Sequence, residues 1–402
     1  MKKNPKTILA VTGSRAEYGI MSRLLKKIDG DDRFILKLAV TGTHLSNEHG
    51  FTVDEIYQDG FEVAAEVEML LSNDSCCGAA KSVGLAMIGF ADTLKAISPD
   101  IIVILGDRME LMAVTTAAVI YGIPIAHIHG GETTEGAFDE LFRHAITKMS
   151  QVHFASTDIY RKRILQMGER PENVFNVGAL GVENTLAVPI LGSRQLEARF
   201  GRDLTVFDFL VTLHPETGSS GNSDALVAET LAALGEFPEH RILFTGANSD
   251  PGGSRINAAL REYAVTEDDR CAFYQHLGLQ GYLSVLKNMT AVLGNSSSGI
   301  IEAPSFKIPT VNIGFRQKGR ERAASIIDCL VQRDAIIAGI QKAIDMRSKA
   351  KGHHFVNPYE HAGTADAIIE ALASLDFRTL SPKRFYDFDF TDTTWTSKRS
   401  QL

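Results

Sequence analysis

A stretch of small and hydroxyl-bearing residues carries the clearest chemistry in this 402-residue chain. It runs from Gly294 to Ser305, reads GNSSSGIIEAPS, and follows an apolar run at 290–293 that is typical of a buried strand. A helix predicted to start there would present unpaired N–H groups and a positive dipole end, which favour a phosphate. Glu302, one turn into that helix, suits the two hydroxyls of a ribose. The pattern predicts a nucleotide site, and a purely structural serine-rich cap is the alternative.

Other polar residues of the second half also follow predicted strands. His214 ends one strand in the run HPET, Asn248 follows the next in GANSD, and His276 follows a third. The basic run RQKGR (316–320) stands after the strand that follows the serine-rich stretch. Its first residue, Arg316, suits bidentate binding of a diphosphate, and a solvated basic loop is the alternative.

The first half carries charged residues at strand ends as well. Arg15 lies in TGSRAEYG after the first predicted strand, and Asp107 and Arg108 follow a later one. Side chains at the carboxyl ends of parallel strands line the usual ligand crevice. The alternatives are a surface charge for Arg15 and, for Asp107, a cap of the helix beginning near Met109.

A pair of histidines follows another strand of the first half. His127 and His129 lie two residues apart in HIHGGE, so alternation along a strand turns both to one side, with Glu132 beyond two glycines. With a third ligand from Asp139 or Glu140 this pair would suit a metal ion. Acid/base chemistry without a metal is the preferred interpretation.

The helix predicted at 139–149 carries two further charges. Asp139 and Arg143 stand four residues apart, so their side chains share one face of that helix. Such pairs are more often structural than catalytic. We expect Arg143 to orient Asp139 within the cleft.

Composition excludes several classes of protein. The net charge of −8 and the pI near 5.9 argue against nucleic-acid or membrane-surface partners. The four cysteines lack metal-binding spacing, and no apolar run suits a signal peptide or a membrane span, so a cytoplasmic enzyme is expected. The motifs G-x-G-x-x-G, G-x-x-x-x-G-K-[ST] and G-x-S-x-G are missing, which argues against a nicotinamide enzyme, a P-loop kinase and an α/β-hydrolase.

Apolar strands alternate with helical patterns along the chain. The predicted strands include 242–245 and 310–313, and one predicted helix covers 300–305. The strands are continuous apolar runs, as expected for parallel sheets covered on both faces. The fold class is therefore α/β, with two Rossmann-like domains whose parallel sheets face each other across a cleft. The second half carries the features of a nucleotide-diphosphate site and the first half presents carboxylates and histidines, which suggests a nucleotide sugar whose sugar meets acid/base groups. We place the first domain, on the sugar side, at residues 1–187 and the second, on the nucleotide side, at 188–362. A C-terminal helix near 365–375 and a loosely ordered polar tail from Ser381 occupy 363–402.

From Thr12 to about Tyr359 the chain resembles the hydrolysing UDP-N-acetylglucosamine 2-epimerases of bacterial sialic acid synthesis. The related non-hydrolysing enzymes usually carry His-x-Glu-Ala-Gly where this chain has HIHGG, which favours the hydrolysing branch. Phe315 departs from the small or acidic residue common in relatives and weakens the assignment of its neighbour Arg316. The segments that carry the resemblance are TGSRAEYG (12–19), LGDRMEL (105–111), HIHGGE (127–132), DELFRHAITKMS (139–150), FNVGALGVEN (175–184), HPET (214–217), GNSSSGIIEAPS (294–305), VNIG (311–314), RQKGR (316–320) and NPY (357–359).

The resemblance implies a GT-B fold whose C-terminal helix crosses back to the first domain, with no cofactor and no metal. It also implies a homodimer or homotetramer. The residues implied to bind UDP are Arg15, His214, Asn248, His276, Tyr282 (near the base), Ser296, Ser297, Glu302 and Arg316. The sugar-side and catalytic residues implied are Asp107, Glu132 and Asp139 together with His44, Arg108, His129, Arg143, His144 and His214.

The expected reaction converts UDP-GlcNAc and water to ManNAc and UDP, supplying sialic acid or capsule synthesis. Elimination of UDP to 2-acetamidoglucal, followed by hydration, avoids deprotonating an unactivated C2–H bond. Carboxylates would move the protons at C2. The arginines would stabilise the diphosphate together with the turn of small residues at 294–299, called the serine turn below. The alternatives are hydrolysis of a UDP-2,4-diacetamido-trideoxyhexose, a non-hydrolysing epimerase, a GT-B glycosyltransferase and a non-catalytic UDP-sugar sensor.

Overall fold

Two parallel sheets form the frame of the protein in a computed structural model. The model describes residues 4–72, 75–135, 137–216, 223–248, 250, 252–349 and 355–387. The first sheet has the strand order β3-β2-β1-β4-β5-β6-β7. Its strands are β1 (Lys6–Thr12), β2 (Phe34–Thr41), β3 (Val63–Val67), β4 (Ile101–Leu105), β5 (Ile125–Ile128), β6 (Val152–Ala155) and β7 (Val174–Asn176).

Among the residues that the structure describes, seven helices lie between or directly after the strands of this sheet along the chain. The central strands β4, β5 and β6 are buried along their whole length, so their apolar side chains need cover on both faces. The strand order reverses direction between β1 and β4, where such sheets bind ligands. The helices are α1 (Arg15–Asp29), α2 (Val53–Gln58), α3 (Cys76–Ile97), α4 (Met109–Tyr121), α5 (Asp139–Met149), α6 (Asp158–Gln166) and α7 (Leu180–Ala187).

The second sheet repeats the arrangement with the order β10-β9-β8-β11-β12-β13. Its switch point lies between β8 and β11, beside the serine turn. The strands are β8 (Phe209–Thr212), β9 (Ile242–Thr245), β10 (Cys271–Tyr274), β11 (Ala291–Gly294), β12 (Thr310–Ile313) and β13 (Ile326–Cys329). The helices that follow α7 along the chain are α8 (Ser193–Phe200), α9 (Ser223–Leu234), α10 (Gly253–Thr266), α11 (Gly278–Leu286), α12 (Ser297–Ile301) and α13 (Arg333–Lys349), which accompany the second sheet, and then α14 (Thr364–Ser374).

The last helix, α14, belongs to the core of the first domain. Ile368 and Leu372 are fully buried in the same apolar cluster as Ile8 of β1 and Leu24 of α1. Lys6 of β1 donates through Nζ to the carbonyl of Leu375, at 2.5 Å, just beyond the helix. The C-terminal helix α14 therefore packs into the apolar core that contains β1 and α1.

Two expectations about local structure were wrong. The helix after the serine turn was predicted at 300–305, whereas α12 spans Ser297–Ile301 and a 3-10 turn at Ala303–Phe306 follows it. Pro304 lacks the N–H that a continuing α-helix needs. Glu302 consequently lies at the C-terminal end of a one-turn helix, where little helix dipole acts on a nearby anion.

The first part of the polar tail is anchored and not loosely ordered. Lys383 donates from Nζ to Glu169 at 2.6 Å, and the backbone N–H of Tyr386 donates to the carbonyl of Gly168 at 3.0 Å. The ammonium group of Lys383 is largely buried, and a buried charge needs a partner of opposite sign. Its ion pair with Glu169 therefore holds this part of the tail against the first domain. The remaining tail, 388–402, lies outside the described residues. Among the residues described, no helix is long and apolar enough to cross a lipid bilayer.

Candidate active site

Charged side chains from the two sheets meet where the carboxyl ends of their strands face each other. Arg108, after β4, donates from Nη1 to Asp250 Oδ1 at 2.9 Å, and Asp250 follows β9 of the other domain. Arg320, after β12, donates to Glu132 Oε2 at 2.5 Å, and Glu132 follows β5. Both of these ion pairs join the domains across the cleft.

Glu132 is the most enclosed carboxylate of this cluster, with no exposed surface. Its Oε1 accepts from the Ser156 hydroxyl at 2.6 Å and lies 2.9 Å from His129 Nδ1. Its Oε2 lies 2.5 Å from Arg320 Nη1 and 3.7 Å from Arg143 Nη1. Burial alone would raise the pKa of Glu132, but Arg320, His129 and Arg143 outweigh it and hold that pKa well below its usual range. Glu132 is therefore an ionised anchor for the residues around it.

Arg143 does not pair with Asp139, contrary to the prediction from their spacing. Its Nη2 donates to Asp107 Oδ2, and its Nη1 donates to the carbonyl of His129 at 3.0 Å. Asp107 and Glu132 draw the guanidinium towards the ends of β4 and β5 and away from its own helix. Arg143 thus ties together three elements of the first domain.

Asp139, at the start of α5, is buried with its Oδ2 lacking a hydrogen-bond partner. Burial, with repulsion from Asp107 and Asp250, raises the pKa of Asp139 to about 7, although Arg316 and Arg108 oppose the shift. A carboxyl group of this kind can hold a proton or release it near neutral pH. Asp139 can therefore exchange a proton beside two arginines.

Asp250 is the residue around which those arginines are arranged. Arg108 lies 2.9 Å from its Oδ1, and Arg316 Nη2 lies 4.0 Å from its Oδ2. The amide of Asn248 donates to Oδ2 at 2.5 Å. Burial opposes ionisation, but Arg108 and Arg316 outweigh it and lower the pKa of Asp250. The sequence pattern GANSD indicated Asn248 as a site residue and gave no role to Asp250.

His214 is neutral and has one defined tautomer. The backbone N–H of Asn248 donates to His214 Nδ1 at 3.1 Å, so the proton resides on Nε2. Burial, followed by Arg316, lowers the pKa of His214 to about 3. The Asn295 side chain brackets the same residue, since its Oδ1 accepts from the His214 N–H at 2.7 Å and its Nδ2 donates to the His214 carbonyl at 2.9 Å. His214 can therefore donate a hydrogen bond to an anion without being charged.

The serine turn begins with a strained backbone position. Gly294 has φ of +123°, and a Cβ there would collide with the carbonyl oxygen of Thr212. The turn passes through buried Asn295, whose carbonyl accepts from Gln317 Nε2 at 2.9 Å and from Arg316 Nη1 at 3.4 Å. Ser296 caps α12 with its backbone only, so its hydroxyl is not used as a cap. Ser296 and Ser297 are half-buried at this edge.

Glu302 and Tyr282 supply polar atoms without partners on the nucleotide side. Glu302 is buried and its Oε2 has no hydrogen-bond partner. Burial raises the pKa of Glu302 to about 7. The buried hydroxyl of Tyr282 likewise lacks a partner. Because buried polar groups are normally satisfied, these atoms are typical of a site that a polar ligand completes.

Arg15 and His276 meet across the cleft. Arg15 Nε donates to Glu55 Oε2 at 2.7 Å, and its Nη1 lies against His276 Nδ1 of the second domain. Burial, followed by the arginine charge, lowers the pKa of His276. This pair places the Arg15 cation at the carboxyl end of β10, next to His276, which was predicted to bind UDP.

Two histidines assigned to the sugar side, His44 and His144, are held by contacts within the protein. His44 is fully buried between the hydroxyls of Thr12 (3.1 Å from Nε2) and Thr52 (2.9 Å from Nδ1). Burial lowers the pKa of His44 to about 4. His144 Nε2 contacts Glu140 Oε1 at 3.0 Å.

His127 and His129 do not act as a pair. His127 donates from Nε2 to the Gly106 carbonyl at 2.7 Å, and its Nδ1 lies 3.2 Å from the Thr147 hydroxyl. His129 has left the strand, with φ of +65°. Among the described residues, no three histidine, cysteine, aspartate or glutamate side chains are grouped to hold a metal ion.

Two further carboxylates of the site were missed. Glu17 of α1 accepts from the Gly13 N–H at 2.8 Å, and Glu110 Oε1 lies 3.3 Å from Arg108 Nε. Burial, followed by repulsion from Glu110, raises the pKa of Glu17 to about 8. Glu17 lies within TGSRAEYG and Glu110 within LGDRMEL, and only the fold shows that the two are neighbours. Arg320 was missed for the same reason, because its partner Glu132 lies 188 positions away.

Comparison with known proteins identifies the family. The family model described as UDP-N-acetylglucosamine 2-epimerase matches residues 26–373. Polysialic acid biosynthesis protein P7 of Escherichia coli is 38% identical over 385 residues, which cover 95% of this chain and 97% of that protein. The GDP/UDP-N,N′-diacetylbacillosamine 2-epimerase (hydrolyzing) of Campylobacter jejuni is 39% identical over 321 residues, covering 80% of this chain and 83% of that one.

A solved structure agrees with the architecture. The Methanocaldococcus jannaschii UDP-GlcNAc 2-epimerase, in complex with UDP-GlcNAc and UDP, has a TM-score of 0.71 at 19% identity, covering 91% of this chain and 99% of that one. At this identity the likeness concerns the fold, which is of the GT-B type with two Rossmann-like domains. Together with the match over residues 26–373, these comparisons show that the chain belongs to the UDP-N-acetylglucosamine 2-epimerase family.

Proposed function

We propose that this protein is a hydrolysing 2-epimerase that converts UDP-GlcNAc and water to ManNAc and UDP. The observation that carries the proposal is the position of Asp139, a buried carboxyl group with a free oxygen that lies in the field of Arg108 and Arg316. A group able to exchange a proton near neutral pH thereby stands beside cations able to receive a diphosphate.

The diphosphate would be received on the nucleotide side. Arg316 has an Nε without a partner, and His214 can donate from Nε2 while remaining neutral. The hydroxyls of Ser296 and Ser297 and the guanidinium of Arg15 line the same edge. These donors stabilise the negative charge that develops as the C1–O bond breaks and UDP departs with the bonding electrons. Glu302 and Tyr282 are assigned to the ribose and the base, with Asn248 and His276 beside them.

Asp139 is assigned to the removal of the C2 proton. Glu132 is bound through both oxygens to cations or donors, and Asp107 is paired with Arg143, so both are occupied. Asp139 has a free oxygen and a pKa raised to about 7, whereas the pKa of Glu132 is held well below its usual range. Transfer of the C2 proton to Asp139 and departure of UDP give 2-acetamidoglucal with a C1–C2 double bond.

Hydration then completes the reaction. The oxygen of water bonds to C1, and the proton that water loses is relayed through a carboxyl group to C2, on the face opposite to the one that lost a proton. Asp139 releases the original C2 proton to solvent, which restores it for the next cycle. Asp107 is assigned to this second transfer because Arg143 holds it at the end of the neighbouring strand. Glu132, His129 and Arg108 are positioning residues in this scheme.

A second candidate substrate is a UDP-2,4-diacetamido-trideoxyhexose. The Campylobacter jejuni relative that is 39% identical bears the name of a diacetylbacillosamine 2-epimerase (hydrolyzing). The chemistry at C1 and C2 is the same for both sugars, so the assigned residues serve either one. The two sugars differ in their substituents at C4 and C6.

One experiment separates the candidates. Purified protein is incubated with UDP-GlcNAc alone, and in parallel with UDP-N,N′-diacetylbacillosamine, while proton NMR follows the sugar. Free ManNAc with release of UDP supports the first assignment, and reaction of only the diacetamido sugar replaces it with the second. Formation of UDP-ManNAc without release of UDP would contradict hydrolysis, and lack of reaction with both sugars would refute the proposed activity.

A further inference from the structure

The loop at residues 315–322, called the bridging loop below, follows a strand of the second sheet but lies against the first domain. The hydroxyl of Thr133 donates to the carbonyl of Gly319 at 2.8 Å, and the N–H of Glu135 donates to the carbonyl of Lys318 at 3.2 Å. Gly319 has φ of +86°, and a Cβ built there would lie 3.1 Å from the Thr133 Cβ. The backbone of the loop therefore approaches the first domain closely, at a position that favours glycine.

The bridging loop also carries two arginines of the site. Arg316 is assigned to the diphosphate, and its neighbour Gln317 donates from Nε2 to the carbonyl of Asn295 in the serine turn at 2.9 Å. Arg320 donates to Glu132 Oε2 at 2.5 Å. A shift of this loop would therefore move the diphosphate donor and the partner of Glu132 together.

Two buried tyrosines fix the position of Glu321 in this loop. The N–H of Glu321 donates to the hydroxyl of Tyr160 at 2.8 Å, and the hydroxyl of Tyr359 donates to the carbonyl of Glu321 at 2.9 Å. The two hydroxyl oxygens are 3.0 Å apart, and both tyrosines are fully buried. Since Tyr359 uses its proton for the carbonyl, the proton between the two hydroxyls belongs to Tyr160. The three residues thus form a closed ring of hydrogen bonds, called the tyrosine ring below.

The tyrosine ring joins three separate parts of the chain. Tyr160 lies on α6 of the first domain, Glu321 lies in the bridging loop, and Tyr359 lies on the connection that leads to α14. Asn357 fixes that connection, because its Nδ2 donates to the carbonyl of Ile301 at 2.8 Å. The segment NPY, to which the resemblance gave no role, thus lies where the two domains and the crossing chain meet.

We infer that Tyr160 and Tyr359 are positioning residues that hold the bridging loop in place. The tyrosine ring thereby keeps the diphosphate donor Arg316 aligned with the ion pair of Arg320 and Glu132. The inference rests on the proposed function, because it gives the ring a part in retaining 2-acetamidoglucal. Once the C1–O bond has broken, the intermediate no longer has a diphosphate to anchor it. A loop fixed to both domains keeps their facing surfaces aligned around the intermediate until water adds.

Removal of single hydroxyl groups tests the positioning role. Tyr160→Phe and Tyr359→Phe each open the ring without emptying the core, and each should lower kcat by about tenfold or more, with little change in UDP affinity. The share of product released as 2-acetamidoglucal should rise, which a simple loss of folded protein does not cause. Because the first substitution already opens the ring, the double variant should lose little more than either single variant.

Tyr263 on α10 provides the matched control. Its hydroxyl accepts from Arg270 Nη2 at 2.9 Å, so Tyr263→Phe also removes one hydrogen bond of a tyrosine, but at a place away from the bridging loop. This variant should retain the kcat of the wild type and its product distribution.

Trypsin tests the loop without relying on the proposed reaction. A loop that is held on both sides resists proteolysis, because cleavage requires local opening. Both tyrosine variants should be cut within the bridging loop faster than the wild type and the Tyr263→Phe control, as mass spectrometry of the fragments measures. The loop contains four cleavage positions, Arg316, Lys318, Arg320 and Arg322.

Two outcomes would overturn the inference. One is equal resistance of the bridging loop to trypsin in the wild type and in both tyrosine variants. The other is an unchanged kcat together with an unchanged share of 2-acetamidoglucal. If the wild-type protein acts on neither UDP-sugar, the proposed function is refuted, and the trypsin comparison alone decides whether the tyrosine ring holds the loop.

Discussion

Arg108 and Asp250 form an ion pair that joins the two domains, with 2.9 Å between Nη1 and Oδ1 and side-chain exposures of 15% and 4%. Removing one partner of such an enclosed pair leaves the other charge without compensation. The pair therefore restrains the orientation of the domains and also holds Arg108 next to Asp139.

We expect Arg108→Gln and Asp250→Asn each to lower the free energy of unfolding by about 2–4 kcal/mol, with the double variant losing less than the sum. Urea denaturation followed by circular dichroism measures all three. The exposed pair Arg333 and Glu236 provides the control, since its removal should cost less than about 1 kcal/mol. Additive losses at positions 108 and 250 would show that the two side chains act independently.

Asp139→Asn should lower kcat by about 10² or more while UDP affinity changes little, because the amide cannot take the C2 proton. In the wild-type enzyme, kcat/KM should fall about tenfold per pH unit below about pH 7, as Asp139 becomes protonated. Steady-state kinetics across this range check both statements. Full activity of the variant would assign the proton transfer to another carboxylate.

Asp107→Asn should also lower kcat by about 10² or more with UDP affinity nearly intact, since Asp107 is assigned to the second proton transfer. The intermediate 2-acetamidoglucal should then accumulate, which distinguishes this variant from Asp139→Asn. Mass spectrometry of quenched reactions detects the intermediate. An active variant would leave Asp107 with the structural role of binding Arg143.

Glu302→Ala should weaken UDP binding by about 1–3 kcal/mol through the loss of hydrogen bonds to a charged group. Because the pKa of Glu302 is raised to about 7, binding of a ribose diol to the carboxylate should release a proton near neutral pH. Titration calorimetry in buffers of different ionisation enthalpy measures that release. As a control, UDP lacking both ribose hydroxyls should bind wild type and variant equally, and a wild-type preference for it would refute the ribose contact.

Stability should fall in acid because buried imidazoles are neutral in the folded chain. The pKa of His44 drops from 6.5 to about 4 on burial, so the unfolded chain binds the extra proton first and stability decreases as pH falls below 6.5. The loss is about 1.4 kcal/mol per pH unit until about pH 4. His44→Gln keeps a donor and an acceptor for Thr12 and Thr52 and removes this dependence. Urea denaturation at several pH values should therefore give a smaller slope for the variant.

The chain permits detailed prediction where one physical rule dominates. Ile242–Thr245 and Thr310–Ile313 were predicted with the bounds that the structure shows, because strands buried on both faces are continuous apolar runs. The edge strand Val63–Val67 was missed, since its mixed burial produces a weaker pattern. Asp107 and His214 were likewise predicted as site residues because each stands at or just after the end of a predicted strand.

Contacts between distant segments were not predictable in the same way. The spacing of Asp139 and Arg143 suggested a pair, but two carboxylates on other elements compete successfully for that guanidinium. No local pattern relates Arg320 to Glu132, and only the packing of the two domains brings them together.

Isotopes test the elimination route directly. In heavy water the ManNAc formed should carry deuterium at C2, because the original proton leaves to a carboxylate and is replaced from solvent. In ¹⁸O-water the label should enter C1 of the sugar and be missing from UDP, since the C1–O bond breaks. Mass spectrometry that finds label in UDP, or protium retained at C2, would contradict the mechanism even with ManNAc as the product.

The return of α14 to the first domain determines the order in which the protein can be completed during synthesis. Ile368, Leu372 and Phe377 belong to the same core as Ile8 of β1. The strand that is synthesised first therefore obtains its complete set of core contacts only when nearly the last described helix has been made. The second sheet is made from one continuous stretch, residues 209–329, and can close first. Although domains generally fold from the N-terminus onward during translation, the core of the N-terminal domain is complete here only once α14 has been synthesised.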